Sequence, residues 1–311
     1  MVNLFIFEQS DVIDGDKLVI RDADKVSHLK KVLKVEVGST IKMGMLGGML
    51  YTGHIAVVSD ASVDVRLEAV PGSEWHPLLG SAGVCLVLGT PRPSMTKSIS
   101  TVSATMGVDQ MVFVKSERVD KSYFQSKTMG GPEMKKNLIH GAEQGVLRRL
   151  PETCCFPHHS LEEFLRDAWP EIEGKLKAAH SSRHIVKLIA EPKVPSNILR
   201  ATCEELANAV GDAVEPFFVL AIGPEGGWVR RRRRSTRFVL SFYSLPKKVP
   251  PEVELFQKYG FRTFHCGEHI LRTETAVVAL LAQAALVRDA LHQGDQINSQ
   301  LTGEKRIKRQ E

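Results

Sequence analysis

The alternation of buried strands with helices after residue 83 constrains the fold of this 311-residue chain more than any other feature. Residues 84–88, 184–190 and 216–222 are short, mainly apolar runs, typical of strands that are buried on both faces. Helices are predicted between such runs, for example over 94–106, and a final helix over about 273–292. Strands that alternate with helices predict an α/β domain with a mostly parallel sheet.

The first 70 residues have a different pattern, in which short β-rich runs are separated by turn residues. Runs such as 17–20, 50–58 and 63–70 predict strands, and one helix is predicted over about 24–33. A small β-barrel fits this pattern. Residues 70–83 are rich in turn-forming residues, which indicates a linker between two domains.

The composition is that of an ordinary globular protein, with 43% hydrophobic and 25% charged residues. No apolar run reaches the roughly 18–20 residues that a membrane helix needs, so no membrane association is predicted. The five cysteines have no CxxC spacing, which favours reduced thiols in an intracellular protein. The first residues show no secretory or organellar presequence pattern, so we expect a cytoplasmic protein and leave an organelle open.

One 20-residue segment carries the basic character of the chain. Residues 230–249 contain six Arg, two Lys and no acidic residue, so they contribute +8 to a net charge of +5 and leave −3 for the remainder. Three interpretations of this segment are open: an RNA-binding arm or localisation signal, a solvated loop without function, or translated non-coding sequence retained in a gene model. The basic balance alone therefore does not predict a nucleic-acid partner.

Two loops with chemically useful residues follow predicted strands. The first is GPEGG at 223–227, whose glycines let backbone groups approach a ligand closely; a tight turn without a ligand is the alternative. The second, at 266–276, opens the last helix with Thr273 as its predicted N-cap, and it contains Arg272 and Glu274. If both strands lie in one sheet, both loops lie at the edge where open α/β sheets bind ligands.

GPEGG followed by ILRTETA at 270–276 resembles the RsmE family of ribosomal RNA uridine N3-methyltransferases, of the SPOUT class. Three further stretches agree with this resemblance: His28 with VLK at 32–34, LGTPRP at 88–93 with MGV at 106–108, and AEQ at 142–144. The resemblance covers nearly the whole chain, from about residue 4 to residue 291.

The resemblance implies a PUA-like RNA-binding β-barrel at 1–75 and a SPOUT domain at 82–293, with 230–249 as an insertion and 294–311 as a polar tail. In the SPOUT domain the last strands and helix would form a trefoil knot, a rare topology. The implied cofactor is S-adenosylmethionine, and the implied partners are small-subunit ribosomal RNA or the ribosomal subunit and a second copy of the chain. Carried over position by position, the cofactor-binding residues are Ile189, Ala190, Glu191, Ile222, Gly223, Pro224, Glu225, Gly226, Gly227, Cys266, Gly267, Ile270, Leu271, Arg272, Thr273, Glu274, Thr275 and Ala276.

The methyl acceptor that the resemblance implies is N3 of a uridine, which must lose its proton at some stage. Arg272 is the predicted stabiliser of a uracil anion, and Glu274 is the predicted proton acceptor or substrate-orienting group. An ion pair between these two residues at the helix start is the alternative. The reaction needs orientation and charge accommodation but no metal. His180 and His184 could share a helix face at i, i+4 spacing, but no third ligand accompanies them.

Four basic side chains are predicted to meet RNA: Lys30, Lys31, Lys34 and Arg92; for the three lysines, a solvated helix face is the alternative. Two further functional hypotheses stay open. One is a SPOUT enzyme with another RNA target, because the chain departs from the family pattern at several positions, among them Leu147. The other is an inactive RNA-binding protein in which the insertion disables the cofactor site.

Overall fold

The computed structural model describes residues 3–192, 194–206, 215–229 and 251–307, with the backbone only over 292–307. The chain divides into two compact units. The first contains Met1–Ala82, Lys97–Asp109 and Gly131–Pro151, and the second contains Gly83–Thr96, Gln110–Gly130 and Glu152–Glu311. Parts of the chain beyond the predicted linker thus belong to the first unit, and the domain boundaries at 1–75 and 82–293 stay a prediction.

A six-stranded sheet with the order β1-β4-β5-β6-β3-β2 forms the first unit. The strands are β1 Phe5–Phe7, β2 Val12–Asp14, β3 Lys17–Ile20, β4 Thr40–Met45, β5 Leu50–Val58 and β6 Val63–Ala69. β1 pairs with β4 in parallel, and the other neighbours are antiparallel. Alternating side chains of β6 are buried, as expected for strands with one face on a core. Closure of this sheet into a barrel stays a prediction.

Three helices contribute to the first unit. They are α1 Ala23–Ser27, which continues into a wide helical turn at His28–Val32, the later part of α2 Pro93–Thr105, and α3 Gly131–Gly145. α3 is tied to the first strand by Glu143, which is buried. Its backbone O accepts from the N–H of Leu4 at 3.1 Å, and its Oε1 accepts from the N–H of Ile6 at 3.1 Å.

The second unit contains a six-stranded parallel sheet, which confirms the predicted α/β class. Its strands are β7 Val84–Gly89, β8 Gln110–Val114, β9 Glu152–Phe156, β10 Arg183–Ala190, β11 Glu215–Ile222 and β12 Arg262–Phe264. They lie in the order β12-β10-β11-β7-β8-β9, and every neighbouring pair is parallel. Because all strands are parallel, their carboxyl ends lie at one edge, and the loops that follow them are neighbours.

Helices of the second unit are α4 Leu161–Glu163, a wide turn at Phe164–Ala168, α5 Trp169–Ala179, α6 Ile198–Leu206, α7 Glu252–Lys258 and α8 Thr273–Ile307. Short 3-10 turns lie at Gln9–Asp11, Lys121–Gln125 and Lys127–Met129. A core of fully buried aromatic side chains, including Trp169, Phe164, Phe217 and Phe256, packs on the sheet. Burial of one such ring contributes about 1.5–3 kcal/mol.

Several sequence predictions need correction. α8 extends to Ile307 although the prediction ended near residue 292, because the polar residues that follow contain no proline to stop a helix. His180 and His184 do not share a helix face, since His180 follows the end of α5 and His184 lies in β10. Strand β9 and helix α6 were not predicted.

Two classes of feature are missing from the part of the chain that the structure describes. No helix there is long and apolar enough to cross a membrane. Three or more His, Cys, Asp or Glu side chains placed to hold a metal ion are also not found there.

Candidate active site

The two loops singled out in the sequence meet at the carboxyl edge of the parallel sheet. The GPEGG loop starts after Ile222, the last residue of β11, and the second loop runs from β12 to α8. The hydroxyl of Thr273 donates to the backbone O of Gly223 at 3.1 Å. This hydrogen bond links the two loops. Thr273 is the first residue of α8, whereas the sequence predicted it as the N-cap.

Glycine is required at two positions of this edge because other atoms of the protein approach the backbone closely there. A Cβ on Gly89, at the end of β7, would lie 2.4 Å from Cδ and 2.8 Å from N of Pro224. A Cβ on Gly223 would lie 3.0 Å from the backbone N of Trp228. Gly227 has a φ of +68°, and its N–H donates to the backbone O of Pro224 at 2.7 Å. The loop is thus a tight turn that tolerates no side chain at its base.

A third loop starts beside the second. Ile189 and Ala190 are the last residues of β10, and the buried Glu191 donates its backbone N–H to the O of Phe264 at 2.8 Å. This contact brings Glu191 to the start of the Cys266 loop. The structure therefore brings together the three loops that the sequence resemblance selected.

The backbone of Cys266 accepts a hydrogen bond, and its thiol is not expected to act as a nucleophile. Its backbone O accepts from Nε2 of Gln283 at 3.3 Å, and burial raises the pKa of its thiol. A raised pKa keeps the thiol protonated near neutral pH, which argues against a nucleophilic thiolate here.

Two more loops reach the same edge, and the sequence analysis missed one of them. The backbone N–H of Arg92, after β7, donates to Oε1 of Glu225 at 3.0 Å. The guanidinium of Arg118, after β8, donates to the backbone O of Gly226. The signal for Arg118 was available, because the mainly apolar run QMVFV at 110–114 is typical of a buried strand and the same edge rule applies to the loop that follows it.

Glu252, at the start of α7, acts as a brace, because its carboxylate links two of these loops through hydrogen bonds. The carboxylate is buried and accepts from the N–H of Glu117 at 2.9 Å and of Val229 at 2.7 Å. Burial raises the pKa of this carboxyl, and the two backbone hydrogen bonds act in the opposite direction. Glu252 therefore fixes the end of the glycine loop to the loop after β8.

We expect Glu252→Ala to lower the free energy of unfolding by about 1–3 kcal/mol, because two partly buried backbone N–H groups lose their acceptor. Urea unfolding measures this effect. Glu254→Ala, on the exposed face of the same helix, is the matched control and should change the stability by less than about 0.5 kcal/mol. Equal stabilities of the two variants would show that the brace contributes nothing.

Two side chains at the start of α8, those of Arg272 and Glu274, have charged groups that form no ion pair within the described residues. The guanidinium of Arg272 is exposed, and Oε2 of Glu274 is buried without a hydrogen-bond partner within the described residues. No ion pair joins these two residues in that part of the chain, so the helix-start pair considered from the sequence is not formed. A carboxylate in the first turn of a helix is favoured by the helix dipole.

The other predicted site residues differ in exposure. Ile270 is 75% exposed, Leu271 is half-buried, and Ala276 is buried under the first turn of α8. Gly267 and Thr275 are exposed. These residues line the loop without contacts that assign a role to each.

The predicted RNA-binding residues lie apart along the chain. Lys31, Lys34 and Arg92 are exposed. Lys30 is engaged, since its Nζ lies 2.7 Å from Oδ1 of Asp60. A phosphate would have to compete with that carboxylate for Lys30.

The predicted insertion at 230–249 lies outside the described residues. The residues on either side of it, Val229 and Glu252, are in direct contact. The backbone N–H of Glu252 donates to the O of Val229 at 2.9 Å. The chain thus leaves and returns at nearly the same point, and the loop at 223–229 keeps its own contacts.

Comparison with known proteins gives the family. The model of the RNA methyltransferase domain matches residues 80–238 and 249–285, with its interruption inside the Arg-rich segment. Ribosomal RNA small subunit methyltransferase E of Treponema pallidum is 26% identical over 90% of both chains. Ribosomal RNA small subunit methyltransferase E 1 of Borreliella burgdorferi is 24% identical over 82% of this chain and 87% of its own.

A solved structure has the same fold. The ribosomal RNA small subunit methyltransferase E of Neisseria gonorrhoeae, bound to S-adenosyl methionine, superposes with a TM-score of 0.60 at 18% identity. The match covers 91% of this chain and 96% of the other. Because the family model covers well over half of the sequence, the chain belongs to the RNA methyltransferase domain family.

Proposed function

We propose that this protein transfers a methyl group from S-adenosylmethionine to N3 of a uridine in small-subunit ribosomal RNA. The observation that carries the proposal is the meeting of three loops at one sheet edge, beside an exposed Arg272 and an Oε2 of Glu274 that has no hydrogen-bond partner in the described part of the chain. The names of the relatives support the RNA class, and the RsmE resemblance of the loops supports the uridine.

The residues present fit the proposed cofactor. Gly223, Gly226 and Gly227 let a ligand approach the loop backbone closely, and Oε2 of Glu274 is a buried acceptor that has no donor among the described residues. The loops at 189–191, 222–227 and 266–276 would hold the cofactor. When bound, S-adenosylmethionine would supply an electrophilic methyl group on its sulfonium.

Arg272 and Glu274 would act on the RNA base. The guanidinium of Arg272 would stabilise the negative charge that develops on a uracil losing its N3 proton. Glu274, two residues further on, would accept that proton or orient the base through a hydrogen bond. The remaining residues of the loops would hold the two reactants in line.

The finer features of the family belong to the same proposal. They are a PUA-like RNA-binding barrel at 1–75, a trefoil knot within 82–293, a homodimer and a cytoplasmic location. The order of the parallel strands and the strand-rich first unit are compatible with the first two.

The test is incubation of the full chain with labelled S-adenosylmethionine and unmodified small-subunit ribosomal RNA, followed by nucleoside analysis. N3-methyluridine is the expected product. Another methylated nucleoside would keep RNA methyl transfer and replace the uridine specificity. Absence of transfer to any small-subunit RNA would overturn the proposal.

A further inference from the structure

A cleft of about 810 Å³ lies wholly within the first unit and plays no part in the site described above. Strands β1 and β3, helix α1 with the turn that follows it, and one face of α3 along most of its length supply its walls. Its volume falls in the usual range for a small-molecule or nucleotide site, about 300–1,000 Å³. Ile6, Phe7, Leu18, Ile20 and Ile139 give it an apolar wall.

Two polar groups in the wall lack partners. Asn137, on α3, is only 4% exposed, and its Nδ2 has no hydrogen-bond acceptor among the described residues. His28, after α1, contributes a buried Nε2 that is also without a partner in that part of the chain. A buried amide without a hydrogen bond costs about 1–3 kcal/mol, so a ligand that satisfies it gains affinity.

The charges around the cleft decide the class of ligand. Five acidic and five basic side chains line it, so the formal charge of the lining balances. Three of the lysines are engaged by carboxylates, in the pairs Lys25–Glu143, Lys135–Glu8 and Lys136–Asp24. A balanced lining does not attract a polyphosphate, whereas an apolar wall with unpaired amide and imidazole groups suits a neutral heterocycle.

Two cations at the cleft remain available. Lys97 and Arg21 are exposed and form no ion pair within the described residues. They can contact the phosphates that flank a single base, which is a common positioning contact in RNA complexes. Sequence-specific RNA recognition generally uses bases that leave the stack and enter such pockets.

We infer that this cleft accepts one unstacked base of the RNA substrate, with Asn137 and His28 on the base edge and Lys97 and Arg21 on the flanking phosphates. The inference rests on the proposed function, since it takes the bound RNA as the source of the base. It places an RNA contact of the first unit on residues other than Lys30, Lys31 and Lys34.

RNA affinity of the full chain, measured by fluorescence anisotropy at several salt concentrations without S-adenosylmethionine, tests the inference. Asn137→Leu should raise the Kd for small-subunit RNA about tenfold and leave its salt dependence unchanged. Lys97→Ala should raise the Kd and reduce the slope of log K against log salt by about 0.7–0.9, because one phosphate contact is lost. Lys42→Ala removes the same charge from an exposed position outside the cleft and is the matched control.

Further measurements distinguish failure of this inference from failure of the proposed function and from misfolding of a variant. Lys97 is exposed, so its variant should fold even if Asn137→Leu does not, and thermal melts of both identify that case. Wild-type affinity in Lys97→Ala and in a folded Asn137→Leu would overturn the inference while the methyl-transfer assay still stands. Tight binding of uridine monophosphate alone at the cleft, with unchanged RNA affinity, would also overturn it. If the two variants lose RNA affinity while the wild-type chain transfers no methyl group, the cleft is supported and the proposed function is refuted.

Discussion

Arg272→Ala is expected to lower kcat for methyl transfer to small-subunit RNA by about 10²–10³-fold. The reason is that the exposed guanidinium lies two residues from Glu274 and forms no ion pair within the described residues, and removal of one charge-stabilising donor from an active site typically costs this much. Affinity for S-adenosylmethionine should change less, because the contacts between the three loops that are proposed to hold it run through backbone atoms and the Thr273 hydroxyl. Steady-state kinetics with both substrates measure the two effects separately.

His269→Ala is the matched control for Arg272→Ala. His269 is exposed in the same loop and belongs to none of the predicted site positions, so we expect activity within about threefold of wild type. Arg272→Lys keeps the positive charge but loses the planar fork, and an intermediate rate is expected. Full activity of Arg272→Ala would remove Arg272 from the mechanism.

Gly89→Ala should weaken S-adenosylmethionine binding about 10–100-fold. The new Cβ would meet the ring and backbone N of Pro224, so the GPEGG loop must move away from the sheet edge. Overpacking of this kind costs about 1–3 kcal/mol, which corresponds to that range of affinity if the strain falls on the binding-competent loop. Calorimetric titration measures the affinity.

Gly174→Ala supplies the control for that substitution. Gly174 lies in α5, and its added Cβ would meet no heavy atom within 4 Å. We expect unchanged cofactor affinity and a stability gain of about 0.5–1 kcal/mol, because alanine favours the helix. If Gly89→Ala binds as tightly as Gly174→Ala, the close approach at Pro224 is not needed for the site.

The α/β class and the tight turn that follows β11 were predictable because their signals are local. Apolar runs such as 84–88 and 216–222 predict buried strands directly, and GPEGG predicts a tight turn after one of them. The order of the strands is a tertiary property, but the edge rule for parallel sheets was enough to predict that the loops meet.

What the sequence missed depends on contacts between distant residues or on weak patterns. Strand β9, Glu152–Phe156, is an exposed edge strand with little apolar signal, so its pattern resembles a loop. The brace at Glu252 follows the Arg-rich segment, where the local pattern is interrupted. The cleft of the first unit combines His28 with Asn137, which are more than a hundred residues apart, and no spacing rule joins them.

The most direct test of the central claim is the wild-type arm of the S-adenosylmethionine titration, carried out on the full chain and on a chain lacking residues 230–249. Saturable binding by both forms, at one cofactor per chain, is the predicted result, because Val229 and Glu252 close the loop without the intervening segment. Binding by the shortened form alone would mean that the segment blocks the site in the full chain. Binding by neither form would contradict the claim that this sheet edge is a cofactor site.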